Sequence, residues 1–119
     1  MKELLHTKAV VFNTRNGKKF VLRSQIAFVK ADNKYLDFYT EHGIFTELTT
    51  LKALEADWGN DWIRVHRNTL VRKSTIQSFN SVERKLAVTY QGKLAVLEVS
   101  RRHKPEVRRW LQTLRVTQS

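Results

Sequence analysis

The chain has 119 residues, of which 41% are hydrophobic and 28% charged, and its formal net charge is +11 at pH 7. These values exclude an intrinsically disordered chain, and we expect one domain over residues 1–119 with a core from about residue 9 to residue 114. The absence of cysteine excludes disulfides and thiolate zinc sites, and no apolar run approaches the roughly 18 residues of a membrane span.

The first half of the chain has the alternation and the turn residues of antiparallel strands. It begins with MKELLHTKAV, which lacks the apolar core of a signal peptide and favours a cytoplasmic location. Asn16-Gly17 is a strong hairpin signal, and Asp32-Asn33-Lys34 is a polar turn. Five strands are predicted: Ala9–Asn13, Lys19–Leu22, Ile26–Lys30, Tyr35–Thr40 and Ile44–Thr46.

A helical period follows. Leu51, Leu54 and Trp58 are spaced as on one face of a helix, with Thr49 or Thr50 as the N-cap and Gly59 at the end. Four more strands are predicted at Trp62–Val65, Ile76–Asn80, Leu86–Tyr90 and Leu94–Val99. A second helix follows Pro105, its apolar face formed by Val107, Trp110, Leu111 and Leu114, with a frayed tail at Val116–Ser119. The sequence therefore predicts a mainly β domain with two short α-helices.

The positive charge is concentrated in the second half. Residues 1–60 hold 9 basic and 7 acidic residues, whereas residues 61–119 hold 13 basic and 4 acidic ones. An excess confined to one half indicates a polyanionic partner. Nucleic acid is favoured over an acidic membrane surface, because no basic helix with a broad apolar face is present.

The entry to the last helix carries cations where helices disfavour them. Arg101, Arg102 and Lys104 lie at the N-terminus, and only Glu106 opposes them. Each cation there costs about 0.3–1 kcal/mol, and a docked anion would reverse the sign. The pattern favours phosphate binding, and a solvated basic surface is the alternative.

The stretch WIRVHRNTLVRKSTI places cations among aliphatic residues. Ile63 and Val65 should pack inward, and Arg67-Asn68 should leave the sheet as a turn. Arginine and asparagine have the donors and acceptors that match guanine and adenine edges in a major groove. His66 is better explained as a hydrogen-bonded structural residue than as a base contact. The Ser81–Lys85 turn is suited to phosphates, and the Asn33-Lys34 turn to base contact or to turn chemistry alone.

Enzyme signals are weak. Asp57 and Asp61 are candidate ligands for the metal of a nuclease, but too few carboxylates accompany them. The four histidines are scattered, and the three tryptophans have core positions. We expect no enzyme, no cofactor and no metal. An RNA-binding module is the main alternative, with Tyr35, Tyr39 and Phe45 as stacking residues.

Three segments together resemble the LytTR DNA-binding domain of bacterial response regulators. They are Thr50-Leu51-Lys52-Ala53-Leu54-Glu55, the run IRVHRNTLV at residues 63–71 followed by Ile76, and Val99-Ser100-Arg101-Arg102. The resemblance extends from about Ala9 to Leu114. It implies an elongated arrangement of small antiparallel sheets rather than a helix-turn-helix.

The resemblance also implies binding to duplex promoter DNA at paired direct repeats, through loops in successive major grooves. The expected base contacts are Asn33, Lys34, Arg67, Asn68 and Arg101, although Tyr35 or Leu36 could replace the first two. The expected phosphate contacts are Arg64, Arg72, Lys73, Arg84, Lys85, Arg102, Lys104 and Arg108. A second copy on an adjacent repeat and a receiver domain in a longer protein are expected partners; a membrane is not.

Overall fold

The computed structural model describes the backbone of residues 9–118 and the side chains of residues 9–114. The strands are β1 (Ala9–Thr14), β2 (Gly17–Leu22), β3 (Ile26–Asp32), β4 (Tyr35–Thr40), β5 (Gly43–Glu47), β6 (Trp62–His66), β7 (Thr69–Arg72), β8 (Ile76–Asn80), β9 (Lys85–Tyr90) and β10 (Lys93–Glu98). The helices are α1 (Leu51–Trp58) and α2 (Lys104–Gln118).

The strands form three antiparallel sheets within this range. The central sheet has the order β5-β4-β3-β7-β6, a second sheet has the order β10-β9-β8, and β1 pairs with β2 as a hairpin. Five strands separate α1 from α2, so these two helices do not form a helix-turn-helix. The predicted class of small antiparallel sheets with two helices is confirmed.

The central sheet is covered on both faces. One face packs against the β1–β2 hairpin and α1 through a cluster that includes Phe12, Phe38, Trp58 and Leu70. The other face packs against the three-stranded sheet and α2 through residues such as Val65, Val71, Leu86 and Val107. Side chains of successive strand residues point to opposite faces, so adjacent Leu70 and Val71 serve different clusters.

Strand β7 was not predicted from the sequence. Thr69, Leu70 and Val71 are all buried, because the sheet is covered on both faces and β7 lies between β3 and β6. A strand buried on both faces lacks the alternation of apolar and polar residues that identifies half-buried strands. The strand is therefore recognisable only from its place in the sheet.

Helix α1 follows its predicted start signal, whereas α2 begins at Lys104, just before the predicted start after Pro105. The Thr50 hydroxyl accepts a hydrogen bond from the Ala53 amide at 3.1 Å, and α1 ends at Trp58 with Gly59 at φ +76°. On α2, Val107 is buried and Trp110 packs beside it, but Leu114 is 39% exposed and so extends the apolar face less than predicted.

Helix α2 runs to Gln118, where a frayed tail was predicted from Val116. After Pro105 the sequence has no Gly or Pro that would end the helix earlier. Ser119 and residues 1–8 lie outside the described residues.

Candidate nucleic-acid interface

Strand direction brings four connections to one end of the domain. In the central sheet, Lys30 pairs with Thr69, so the β3–β4 and β6–β7 turns lie at the same end. In the second sheet, Glu98 pairs with Lys85, which places the β8–β9 turn beside the exit from β10. We call this end the loop edge; it comprises Asn33-Lys34, Arg67-Asn68, Ser81–Lys85 and Ser100–His103.

Backbone hydrogen bonds hold these connections side by side. The Ala31 amide donates to the carbonyl of Asn68 at 2.8 Å, which joins the first two turns. The Ser100 amide donates to the carbonyl of Val65 at 2.9 Å, and the Val99 amide donates to the carbonyl of Arg84 at 2.9 Å. The order along the loop edge is therefore fixed by main-chain contacts between strands that are distant in sequence.

Hydrogen bonds among neighbouring residues fix the conformation of the β6–β7 turn. The Arg64 Nε donates to the His66 carbonyl at 3.0 Å, and the Asn68 amide donates to His66 Nδ1 at 3.3 Å. The Thr69 hydroxyl donates to Asn68 Oδ1 at 2.8 Å. His66 and Asn68 are half-buried by these contacts, whereas the Arg67 side chain is exposed. The predicted structural role of His66 agrees with this bond.

The first two turns border one groove of about 520 Å³. Asn33, Lys34 and Arg67 line it together with the start of α1. Asn33 has φ +62°, a conformation that asparagine tolerates better than most residues, so turn chemistry explains part of its presence. Leu48 is 68% exposed and also lines the groove, which gives this basic surface an apolar wall.

The connection between β10 and α2 is built on Ser100. Its carbonyl accepts hydrogen bonds from the amides of His103 at 3.1 Å and Lys104 at 3.0 Å, and its hydroxyl lies 2.7 Å from His103 Nδ1. Arg101 and Arg102 are exposed on this turn. Arg101 also lines a shallow basic groove of about 300 Å³ along α2, with Lys104, Arg108 and Arg109.

Two of the predicted phosphate contacts lie away from the loop edge. Arg72 pairs with Trp62 at the opposite end of β7, and its Nε donates to the Ile26 carbonyl at 2.7 Å. Burial lowers the pKa of Arg72, against the opposing charge of Glu41. Lys73 follows Arg72, and its Nζ lies 6.0 Å from the centre of the Trp110 ring. We call this opposite end, which also holds Gln91-Gly92, the far end.

The two predicted phosphate contacts of the β8–β9 turn, Arg84 and Lys85, differ in exposure and in their bonds to the protein. Lys85 is exposed at the loop edge. Arg84 is half-buried there, with Nη1 donating to the Val99 carbonyl at 2.9 Å and lying 3.9 Å from Glu98. Arg84 thus supports the exit from β10, a role that its sequence position does not indicate.

Three side chains for which the sequence predicted no functional role also support the loop edge. Ser100 and His103 form the turn before α2, and Glu55 on α1 is bonded to Arg64. Ser100 could have been found, since a serine shortly before a predicted helix is an N-cap signal, and its hydroxyl accepts a hydrogen bond from the His103 amide at 3.3 Å. The Glu55 contact has no comparable signal in the sequence.

Stability should depend on pH through His103. Burial lowers the pKa of His103, the charge of Arg64 lowers it further, and Glu106 opposes this. The unfolded chain, with an ordinary histidine pKa near 6.5, therefore binds the proton more readily than the folded protein. The contribution of neutral His103 to the free energy of unfolding is therefore complete above about pH 6.5. It is lost as the pH falls towards the pKa of His103 in the folded protein.

We expect the urea midpoint of the wild type to fall between pH 7.5 and pH 5 by more than that of the His103→Gln variant. Glutamine retains a polar group but does not titrate. Equal falls for the two proteins would show that His103 does not carry this dependence.

Most of the residues that the nuclease and RNA-binding alternatives would use make other contacts within the fold. Asp57 is 3.3 Å from Arg23, and within residues 9–118 no cluster of three or more His, Asp or Glu could hold a metal ion; His6 lies outside that range. Tyr39 stacks on Phe28 with ring centres 4.4 Å apart, and Phe45 stacks on Phe12 at 4.7 Å. Of the three predicted stacking residues, only Tyr35 is exposed. Neither helix of the described residues combines the length and the apolar character of a membrane span.

Comparison with known proteins finds a matching family, a relative in sequence and a similar fold. Residues 16–112 match the model of the LytTr DNA-binding domain. The chain is 33% identical over 103 residues to the positive alginate biosynthesis regulatory protein of Pseudomonas aeruginosa, covering 85% of this chain and 42% of that protein. The structure resembles the LytTr DNA-binding domain of a putative methyl-accepting/DNA response regulator from Bacillus cereus, with a TM-score of 0.72 and 21% identity over 87% of this chain and 96% of that one.

Proposed function

Because the chain belongs to the LytTr DNA-binding domain family, we propose that its loop edge binds double-stranded DNA in a sequence-specific manner and thereby regulates transcription. The observation that carries the proposal is the joining of three predicted DNA-contacting turns by main-chain hydrogen bonds, at Ala31–Asn68 and Val65–Ser100. A row of cationic turns fixed to one rigid edge matches the repeating phosphates of a duplex.

Different side chains are proposed to contact bases and phosphates. Arg67 and Arg101 are exposed on internally bonded turns, which suits arginine for bidentate contact with guanine in a major groove. Asn33, Lys34 and Asn68 are the other proposed base contacts. The proposed phosphate contacts are Lys85, Arg102, Lys104 and Arg108, together with Arg84 through the guanidinium nitrogens that do not bond Val99. Arg72 and Lys73 are left out because they lie at the far end, and Arg64 because its guanidinium is bonded within the protein.

The arrangement on DNA is proposed from the size of the domain and its relatives. The chain spans 42% of the length of the curated relative, and we propose that it corresponds to one unit of such a protein. We propose that this unit is the output domain of a response regulator, controlled by a receiver domain in a longer chain. Two copies would bind adjacent direct repeats, each through its own loop edge.

The Lys104→Ala variant should weaken all duplexes alike. Lys104 lies beside Arg101 and Arg108 on the basic groove of α2, where it faces backbone phosphates rather than base edges in this proposal. Removing one phosphate contact should reduce the slope of log K against log salt by about one unit. Fluorescence anisotropy at several salt concentrations measures this, and a loss confined to the cognate site would contradict the assignment.

Selection from a random duplex library tests the function itself. We expect a recurrent site, in two copies in the same orientation, among the bound sequences. Competition with single-stranded RNA should then fail to displace the selected duplex. Bound sequences without any preference, or displacement by RNA at equal concentration, would argue for a different nucleic-acid-binding function.

A further inference from the structure

Each of the three guanidinium nitrogens of Arg64 donates a hydrogen bond within the protein. Its Nε donates to the carbonyl of His66 at 3.0 Å, and its Nη1 donates to the Glu55 carboxylate. Its Nη2 donates to the carbonyl of Arg67 at 2.6 Å. One guanidinium thus joins β6, α1 and both residues at the start of the β6–β7 turn.

This geometry leaves little of Arg64 for DNA. The Glu55 carboxylate compensates its charge, and the Arg64 side chain is only 22% exposed. A phosphate would compete with Glu55 for Nη1 and would itself be repelled by that carboxylate. If the phosphate drew the guanidinium out of this position, the carbonyls of His66 and Arg67 would also lose their donors.

We propose that Arg64 and Glu55 act as a pair that positions Arg67, in place of the phosphate contact predicted for Arg64 from the sequence. The guanidinium fixes the carbonyl of Arg67 and hence the direction in which its side chain leaves the turn. Glu55 fixes the guanidinium from α1. The inference rests on the proposed sequence-specific binding and adds two residues that determine specificity without touching a base.

A positioning role of the pair and a phosphate contact by Arg64 predict opposite changes in DNA affinity when Glu55 is removed. Removing an acidic residue near DNA ordinarily strengthens binding, because it removes a repulsion from the phosphates. If Arg64 contacted a phosphate, Glu55→Ala would also release it for that contact. If the pair positions Arg67, the same substitution disorders a base contact and weakens binding to the cognate site.

The test compares four variants with the wild type on the selected duplex and on random duplex of equal length. Glu55→Ala and Glu55→Gln remove the charge, Arg64→Lys keeps the charge but not the forked donors, and Asp57→Asn is the control. Asp57 is an acid on the same helix that pairs with Arg23 instead. Urea unfolding of each variant identifies any that does not fold. Glu55→Gln and Arg64→Lys are the conservative substitutions, so they test the pair even if Glu55→Ala fails to fold.

We expect Glu55→Ala and Arg64→Lys to reduce the ratio of cognate to random affinity by at least about 5-fold, the lower limit for one lost base contact. The salt slope should stay within a fraction of one unit of the wild-type value, and Asp57→Asn should leave the ratio unchanged. An unchanged ratio in the Glu55 and Arg64 variants, or tighter cognate binding by Glu55→Ala, would overturn the proposal. If the wild type itself selects no sequence, the proposed function fails, and the positioning of a base contact by this pair fails with it.

Discussion

Replacing Leu70 by alanine is expected to lower the free energy of unfolding by about 2–5 kcal/mol. Leu70 is 1% exposed and lies on β7, between β3 and β6, with its side chain in the cluster under the hairpin and α1. Truncation leaves a cavity that a sheet covered on both faces cannot close by moving one strand. Urea unfolding followed by tryptophan fluorescence measures the loss.

Leu94→Ala is the matched control for this prediction. Leu94 is 65% exposed on β10, so its truncation should change the free energy of unfolding by no more than about 0.5 kcal/mol. Similar losses for the two leucines would contradict the account of a central strand buried on both faces.

Replacing Arg67 by alanine is expected to cost about 1–3 kcal/mol of binding to the cognate duplex. The side chain is exposed beside the groove that Asn33 and Lys34 also line, and its turn is fixed by internal hydrogen bonds. Binding to random duplex should fall much less, and selection with the variant should lose its preference at one base position. Anisotropy titrations with both duplexes give the two numbers.

Lys93→Ala removes the same charge from the far end. Lys93 is exposed at the start of β10, opposite the loop edge, and its loss should leave the affinity ratio unchanged. If Arg67→Ala weakened cognate and random duplexes equally, Arg67 would be a phosphate contact and the proposed base contact would be wrong.

Most of the fold follows from local patterns in the sequence. The hairpin β1–β2 is specified by Asn16-Gly17, and α1 by Thr50 at its start and Gly59 after its end. These signals act over a few residues, so a single sequence is enough to detect them. Strand β7 has no such pattern, because its burial on both faces is imposed by elements that are distant along the chain.

The candidate site was only partly predictable, for a related reason. Composition and turn residues identified the exposed cations Arg67 and Arg101. They could not separate these from Arg64 and Arg72, whose donors are used by main-chain carbonyls within the fold. Arg72 donates to Ile26, which is 46 residues away, and no local pattern records such a partner. Which cations remain free for a ligand is therefore a property of the tertiary structure.

The most direct test of the central claim is a titration of isotopically labelled protein with the selected duplex, followed by backbone amide chemical shifts. We predict that the large changes fall on the loop edge, at Asn33-Lys34, Arg67-Asn68 and Arg101-Arg102. The far end, including Arg72, Lys73 and Gln91-Gly92, should remain unchanged. Large changes at the far end with an unperturbed loop edge would show that DNA binds a different surface.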